Sequence, residues 1–278
     1  MILIADGGST KTDWCVSEQG KQLKRITTHG INPYFLSEDA ITEEIRLSLL
    51  PKLKTQTFEA LYFYGAGCLP EKIPMMQNAL GKQLTAKTIE VNSDMLGAAR
   101  GLSGKNPGIV CILGTGSNSC YYDGENIVSN VSPLGFILGD EGSGAVLGKR
   151  LVGDLLKNQL PAGMKEKFLQ EFNLTPAMII ERVYRQPFPN RFLASLSPFL
   201  LRNIEEPALH SLVFDSFCSF LIRNVMQYDF KLYPVYFIGS IAFYYKEILE
   251  EAILETGMQL GGIMQNPMEG LVKFHSIT

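Results

Sequence analysis

The sequence has no cluster of basic residues. Its 25 Lys and Arg are scattered and are outnumbered by 28 Asp and Glu, which gives a formal net charge of −3 at pH 7. Nucleic acids and anionic membranes attract proteins mainly through basic surfaces. The charge pattern therefore predicts that neither a nucleic acid nor a membrane is a partner of this protein.

Long apolar runs and a targeting pattern are also missing. No segment reaches the ~18 consecutive apolar residues that a membrane-spanning helix requires. The chain enters an apolar stretch at Ile2 without a basic region or a small-residue cleavage site. We therefore expect a cytoplasmic protein of globular composition.

Cysteine and histidine are few and widely spaced. The five cysteines are Cys15, Cys68, Cys111, Cys120 and Cys218, and no two of them form a CxxC pair. The three histidines are His29, His210 and His275. Zinc sites and disulfide frameworks need closer or paired ligands. We expect reduced and mostly buried thiols, without a metal site.

What the sequence does contain is an alternation of strand-like and helix-like segments. Apolar strand patterns occupy residues 2–6, 60–67 and 233–240, and a hairpin turns at residues 18–20. Helical spacing is present at 38–50 behind Ser37 as N-cap, at 71–85, after Asp94, through most of 145–232, and before Gly257. This alternation predicts an α/β fold with mixed sheets.

One arrangement occurs twice. Residues 7–9 (GGS) and 115–117 (TGS) each follow an apolar strand and precede a second strand and a turn. We interpret this as an internal duplication that gives two similar domains around a cleft, over residues 1–104 and 105–266, with 267–278 a candidate addition to the first. Ligands of such sheets bind beyond the strand ends, where both loops would lie.

The first loop, DGGSTK at residues 6–11, has two interpretations. Glycines let backbone N–H groups approach an anion, and Asp6 could organise a magnesium ion through water. The stretch could also be a tight hairpin with a capping aspartate. Neither GxxxxGK[ST] nor GxGxxG is present. The second glycine–hydroxyl turn, LGTGSNS at 113–119, favours two facing phosphate loops.

Three further stretches place acidic residues or glycines where a helix begins. Asp94, in NSDMLG, is either an N-cap or a general base, and its spacing alone favours the cap. Asp140 and Glu141, in PLGFILGDEGSGAVLG, are either an acidic first helical turn or ligand-facing groups, and as neighbours they should point in different directions. Gly239 and Ser240, in FIGSIA, form a turn that a flat base could approach.

Together, the stretches IADGGSTKTDW, NSDMLGAARG, CILGTGSNS, GFILGDEGS and FIGSIA resemble those of the sugar kinase, actin and Hsp70 superfamily. The chain is most similar to the N-acetylglucosamine kinase group of the BadF/BadG/BcrA/BcrD ATPase family. The resemblance covers residues 1–145 and 237–242 and is thin through 150–235. It implies two RNase H-like domains of the actin-like ATPase type, with ATP and Mg²⁺ in the cleft between them.

The resemblance also implies roles for individual residues. It implies a catalytic base at Asp94 and a magnesium-organising carboxylate at Asp6, acting through water. It places the phosphates of ATP at Gly7, Gly8, Ser9, Thr10, Lys11, Thr115 and Gly116. It places adenosine at Gly239 and Ser240, with Glu206 as a further nucleotide contact. It places the sugar at Asn32, Asp94, Ser117, Asn118, Gly135, Phe136 and Asp140.

The sequence departs from the family pattern in three places. Ser9 stands where a glycine is common, and Phe136 stands where the human-type enzyme has tryptophan. The tail NPMEGLVKFH lacks the glycine–alanine helix start of many relatives. We therefore expect a last helix that is short or absent.

The function that the resemblance implies is ATP-dependent phosphorylation of N-acetylglucosamine or a related amino sugar. Two alternatives stay open. One is an ATPase that activates a 2-hydroxyacyl-CoA dehydratase or reductase, whose relatives hold an iron–sulfur cluster between subunits. The other is a non-catalytic sugar-sensing regulator. We expect a small-molecule sugar as the partner, and a homodimer is the assembly to consider.

Overall fold

The structure is a computed structural model that describes residues 1–8 and 10–276. The chain divides into two compact units. The first consists of Met1–Pro107, Tyr122–Ile127 and the segment that begins at Asn266. The second consists of Gly108–Tyr121 and Val128–Gln265.

In the described residues, ten strands form two five-stranded sheets. The first sheet contains β1 (Ile2–Gly7), β2 (Lys11–Glu18), β3 (Lys21–His29), β4 (Thr57–Gly65) and β5 (Thr85–Ser93). The second sheet contains β6 (Gly108–Leu113), β7 (Ser117–Tyr122), β8 (Ile127–Val131), β9 (Val235–Ile238) and β10 (Leu260–Met264).

Thirteen α-helices accompany these strands in the part of the chain that the structure describes. They are α1 (Glu38–Glu44), α2 (Ile73–Gly81), α3 (Asp94–Ser103), α4 (Gly135–Leu138), α5 (Gly144–Leu156), α6 (Met164–Glu171), α7 (Pro176–Tyr184), α8 (Pro189–Leu196), α9 (Pro198–Arg202), α10 (Pro207–Arg223), α11 (Ser240–Tyr244), α12 (Lys246–Thr256) and α13 (Met268–Phe274). A π-helical segment, Ile45–Leu49, continues α1.

The two sheets have the same strand order. The first runs β3-β2-β1-β4-β5 and the second β8-β7-β6-β9-β10, so each strand of the first has a counterpart in the second. In the first sheet β4 pairs in parallel with β1, and β5 pairs in parallel with β4. In the second sheet β9 pairs in the same way with β6, and β10 with β9. The predicted α/β class and the internal duplication are confirmed.

The central strands of the first sheet are covered on both faces, and alternate side chains of β1 enter different cores. Leu3 and Ala5 of β1 belong to the core that α1 and α2 cover, whereas Ile4 packs against α13. By the same alternation, Asp6 lies on the face that carries α3 and α13. Asp94, as the first residue of α3, is on the same side of the sheet.

Helix α13 packs closely against α3 through two glycines. A Cβ built on Gly270 would lie within 1.7 Å of the Gly101 carbonyl oxygen, so neither helix could approach as it does with larger residues. The apolar side of α13 contributes Met268, Leu271 and Val272 to the core on this face. The last described helix is short, with seven residues, as the tail sequence predicts.

The second unit has one large core between its sheet and its helices. Ile109 and Cys111 of β6 and Phe237 of β9 pack there against residues from α5, α10 and α12. The helical pattern predicted for residues 145–232 is confirmed by α5 to α10. Helix α12 ends at Gly257, whose φ of 68° is the left-handed conformation expected at a helix end.

The cysteines fit the expectation of reduced thiols. In the part of the chain that the structure describes, none of the five is joined in a disulfide; four of them are buried and Cys218 is partly buried. Among residues 1–8 and 10–276, no helix has both the length and the apolar character needed to cross a membrane.

Candidate active site

The first glycine loop is the turn of the β1–β2 hairpin. Strand β1 pairs with β2 up to the Gly7–Thr12 position, and the Gly8 amide donates to the Lys11 carbonyl oxygen at 2.9 Å. The hairpin interpretation is therefore confirmed, and the predicted phosphate-binding residues Gly7, Gly8, Thr10 and Lys11 lie at its tip. Ser9, also predicted to contact phosphate, lies outside the described residues.

Packing, and not only the predicted binding of phosphate, explains why residue 7 is a glycine. A Cβ on Gly7 would lie 2.6 Å from Cζ of Phe63, which is closer than any real contact. Phe63 itself belongs to the core beneath the hairpin. The absence of a side chain at Gly7 is thus required by the fold of the first unit.

Lys11 and Asp13 form an ion pair beside this turn. The Lys11 Nζ lies 2.6 Å from Oδ2 of Asp13, and the Lys11 side chain is 65% exposed. Asp13 also accepts a hydrogen bond from the Thr27 hydroxyl at 2.7 Å. The Lys11 cation is therefore on the surface beside the loop.

Asp6 lies directly opposite Asp13 in the hairpin register, with both side chains on the α3 face. Burial, reinforced by the charges of Asp94 and Asp13, raises the pKa of Asp6 to about 7, although Lys11 and Arg25 act in the opposite direction. A carboxyl group whose charge is this unfavourable gains most from a nearby cation. Asp13 was not among the predicted site residues, because only the hairpin register places it beside Asp6.

Asp94 is the first residue of α3, and it is not the cap. The Ser93 hydroxyl accepts the Leu96 amide at 3.2 Å, which makes Ser93 the N-cap. The capping interpretation of Asp94 is therefore wrong. Its carboxylate accepts the Met95 amide at 2.8 Å, and burial raises its pKa from the ordinary value despite this hydrogen bond.

Asn32, the predicted amino-sugar contact in the first unit, organises its own loop. Its side-chain oxygen accepts the Tyr34 amide at 3.0 Å, and its carbonyl accepts the amides of Phe35 and Leu36. A Cβ on Gly67 would fall 2.0 Å from the same side-chain oxygen. The residue is buried, so the structure shows a folding role for Asn32 beside the proposed one.

The second glycine loop is a tight turn attached to the start of α5. The Gly114 amide donates to the Gly116 carbonyl at 2.9 Å, and the Ala145 amide donates to the Thr115 carbonyl at 3.1 Å. The predicted phosphate residues Thr115 and Gly116 thus lie where β6 ends and α5 begins. Ser117 follows them as the first residue of β7.

Asp140 belongs to the same cluster. Its Oδ1 accepts the Ser117 amide at 3.2 Å, and its Oδ2 is 3.0 Å from where a Cβ of Gly116 would be. Burial raises the pKa of Asp140, whereas the Ser117 hydrogen bond lowers it. The backbone of Asp140 is left-handed, with φ of 58°, which aspartate tolerates better than most residues.

The neighbouring carboxylates point in different directions, as predicted. Glu141 pairs with Arg223 of α10 at 2.9 Å, while Asp140 faces the second loop. Neither residue lies in a helix: α5 begins at Gly144 behind Ser143, whose hydroxyl accepts the Val146 amide. The interpretation of this pair as an acidic first helical turn is therefore wrong.

Four further residues of the second unit were predicted to contact the sugar or the nucleotide: Asn118, Gly135, Phe136 and Glu206. Asn118 accepts the Ser119 amide and the Asn130 side chain, each at 2.9 Å. Gly135 and Phe136 begin α4, and the Phe136 carbonyl accepts Nζ of Lys149 at 2.7 Å. Glu206 lies apart, at the N-terminal end of α10, whereas Arg223 is at the other end of that helix.

Gly239 lies where β9 ends, beside the second loop. Its φ is 119°, and a Cβ there would be 2.3 Å from the Leu113 carbonyl oxygen at the end of β6. Only glycine fits this position without strain. Ser240 follows as the first residue of α11. The predicted phosphate and adenosine residues that the structure describes therefore lie at strand ends of the two sheets, one group in each unit.

Similarity to known proteins was found in solved structures and in one curated protein. No family model matches the chain. A Porphyromonas gingivalis protein with the provisional name N-acetylglucosamine kinase is 54% identical, with a TM-score of 0.98 and coverage of 100% of this chain and 99% of that one. A Chromobacterium violaceum protein with the same provisional name shares 16% identity, with a TM-score of 0.76 and coverage of 100% and 98%, which shows the fold.

The curated protein is N-acetyl-D-glucosamine kinase of Dictyostelium discoideum. It is 29% identical to this chain over 181 residues, which are 59% of this chain. The match spans 57% of the curated relative's length, a little more than half.

Proposed function

Because the chain belongs to the N-acetylglucosamine kinase-like group of the sugar kinase, actin and Hsp70 superfamily, we propose that it is an ATP-dependent sugar kinase. The acceptor is a hydroxyl of N-acetylglucosamine or a related amino sugar, as in the names of the relatives. The observation that carries the proposal is the state of Asp94, which lies partly buried directly after β5, as the first residue of α3, and is not used as its cap.

Asp94 has the properties of a general base for this reaction. Burial raises the pKa of Asp94 toward the pH at which the enzyme works. A carboxylate with a higher pKa binds a proton more strongly and is therefore a better general base. In the proposed step Asp94 accepts the proton of the sugar hydroxyl. The sugar oxygen forms a bond to the γ-phosphorus, the bond from that phosphorus to the β-phosphate oxygen breaks, and ADP leaves.

The residues around Asp6 fit a magnesium ion held through water. Burial and two neighbouring carboxylates already disfavour the Asp6 charge, and a cation would relieve this repulsion. Among the described residues, no group of three His, Cys, Asp or Glu side chains is arranged to bind a metal together, so direct triple coordination is not expected. A bound Mg²⁺ would neutralise part of the negative charge of the phosphates.

The second-unit cluster supports a role in binding ATP and the sugar. Thr115, Gly116 and Gly239 present backbone groups at neighbouring strand ends, suited to phosphate and adenosine. Asp140 and Ser117 are joined by a hydrogen bond, and the second carboxylate oxygen of Asp140 is available for a sugar hydroxyl. Phe136, in the same stretch, would provide an aromatic wall.

The cysteines do not support the iron–sulfur alternative. Cluster ligands must be thiolates that lie near one another. Burial raises the pKa of Cys15 to about 11 and of Cys68 to about 12, and it also raises the pKa of Cys111 and Cys218. The raised pKa values keep these four thiols in the protonated form.

The test is ADP release, measured with a coupled assay on a panel of amino sugars and hexoses. We expect turnover with N-acetylglucosamine or a related amino sugar, and loss of ~10²–10⁴-fold in kcat for Asp94→Asn. Calorimetry should show that this variant still binds ATP and sugar. Turnover without sugar dependence would instead support an ATPase, and binding without turnover would support a sensor.

A matched control for Asp94→Asn is Asp39→Asn. Asp39 is in the first turn of α1, and its side chain is 97% exposed. The same chemical change there should leave kcat within a factor of about two, since exposed surface substitutions rarely propagate. Equal losses in both variants would remove Asp94 from the role of base.

A further inference from the structure

A cavity of about 440 Å³ lies within the first unit, lined by residues that have no part in the proposed kinase reaction. Its walls include Tyr62 of β4, Glu90 of β5 and Arg100 of α3, with Lys105, Glu125 and Phe274 around them. This volume falls in the range of pockets that hold small metabolites, roughly 300–1,000 Å³.

The cavity is on the same side of the first sheet as Asp94 but is separate from it. Glu90 precedes Asp94 by four residues along an extended strand, which corresponds to roughly 13 Å. Arg100 is in the second half of α3, whereas Asp94 begins that helix. A ligand in the cavity would therefore not overlap the proposed proton-transfer position.

Arg100 is a cation without an ion-pair partner among residues 1–8 and 10–276. Its guanidinium lies 5.1 Å from the centre of the Phe274 ring and 5.9 Å from that of Tyr64, and Nη1 donates to the Tyr64 hydroxyl at 2.9 Å. Its Nε is buried and has no hydrogen-bond partner among the described residues. Because no carboxylate of the described residues pairs with this cation, a negative group bound in the cavity beside it would be stabilised by charge attraction.

The other charges of the cavity are also unpaired. Within the described chain, none of Glu90, Arg100, Lys105 and Glu125 takes part in an ion pair. Burial, with the nearby Arg100 charge, lowers the pKa of the lining residue His275 to about 4, so this imidazole is neutral at pH 7. The cavity thus presents two cations and two anions to whatever enters it.

We propose that this cavity binds a small zwitterionic metabolite. Arg100 and Lys105 hold its phosphate or carboxylate, Glu90 and Glu125 hold its ammonium group, and Tyr62 and Phe274 contact its apolar part. An amino-sugar phosphate and a free amino acid share this chemistry. The proposal follows from the cavity alone and does not depend on the kinase activity.

Calorimetric titration of the full chain distinguishes the two sources. One arm uses glucosamine 6-phosphate, with glucose 6-phosphate and glucosamine as analogues that each lack one charge. The other uses phenylalanine, with 3-phenylpropionate and phenethylamine. We expect one zwitterion to bind at least tenfold more tightly than both of its analogues. Absence of binding by either zwitterion at 10 mM, or equal binding by the analogues, would overturn the proposal.

Variants at exposed lining residues locate the binding without threatening the fold. Lys105→Ala and Glu125→Gln should each weaken the zwitterion about tenfold. The control variants are Lys87→Ala and Glu59→Gln, a surface ion pair of the same sheet with side chains 76% and 63% exposed. Unchanged affinity in Lys105→Ala and Glu125→Gln, or displacement of the ligand by excess N-acetylglucosamine, would place the binding elsewhere and refute the proposal.

Discussion

Asp6 and Asp13 are directly opposite each other in the β1–β2 hairpin, with their carboxylates on one face of the sheet. Like charges at such positions are normally destabilising. Here Thr27 and Lys11 satisfy Asp13, whereas Asp6 is left with a pKa raised to about 7. The hairpin tip therefore holds an unfavourable negative charge next to the loop proposed to bind phosphate.

This charge predicts a specific dependence of stability on pH. The folded-state pKa of Asp6, about 7, lies above its ordinary value of 3.8, so the folded chain keeps a proton that the unfolded chain releases. The Asp6 contribution to the free energy of unfolding consequently decreases as pH rises from about 4 to about 7.

Urea unfolding across this pH range measures the effect. Asp6→Asn should show a flatter profile and should be more stable than the natural chain above pH 7. The exposed variant Asp39→Asn should follow the natural profile. If Asp6→Asn kept the full pH dependence, the raised pKa would have to be assigned to another group.

The helix cap and the proposed base can be separated by two neighbouring substitutions. Ser93→Ala removes the hydroxyl that accepts the Leu96 amide and should cost about 1 kcal/mol of stability. Asp94→Asn should leave the cap in place and act mainly on kcat. Thermal unfolding and the coupled ADP assay measure the two effects. A large stability loss in Asp94→Asn with a normal kcat would reverse the assignment.

Asp140 should have separable folding and binding roles. Asn retains an oxygen that can accept the Ser117 amide and tolerates the left-handed backbone, so Asp140→Asn should change stability by less than about 0.5 kcal/mol. Ala has neither property, so Asp140→Ala should cost about 1–2 kcal/mol. Both should raise the KM for sugar. A KM unchanged in both variants would exclude Asp140 from the sugar site.

Two glycines of the second unit should respond oppositely to alanine. Gly239→Ala introduces a methyl group 2.3 Å from the Leu113 carbonyl at a φ of 119°, and we expect a loss of at least about 2 kcal/mol. Gly153, inside α5, has open space around its Cβ position, and Gly153→Ala should raise stability by about 0.5–1 kcal/mol. Chemical unfolding compares them, and equal effects would show that the Gly239 turn can relax.

The sequence predicted the architecture well because the strands are strongly apolar and the glycine–hydroxyl turn recurs. The exact first residues of the helices were harder to predict from the sequence. Ser93 and Asp94 are both good caps, and so the pattern could not distinguish them. The same ambiguity affected the stretch before α5, where Ser143 is the cap. In both cases a serine is the cap, and the carboxylate that is not needed as a cap, Asp94 or Asp140, is the residue with a proposed function.

Features that depend on contacts between distant residues could not be predicted. Asp13 becomes part of the Asp6 environment only through the hairpin register. Gly7 was explained by the approach of phosphate, whereas the contact that excludes a side chain there comes from Phe63 on another strand. The unpaired charges around Arg100 likewise come from segments that are far apart in sequence.

The packing of α13 on the first sheet has a consequence for the order of assembly during synthesis. Ile4, Cys15 and Tyr64 are buried against Met268, Leu271 and Val272, and the ribosome makes these partners only after the whole second unit. The part of this face that α13 covers therefore stays exposed while the intervening residues are made. The first sheet, although translated first, can complete the burial of this face only after the last described helix has been made.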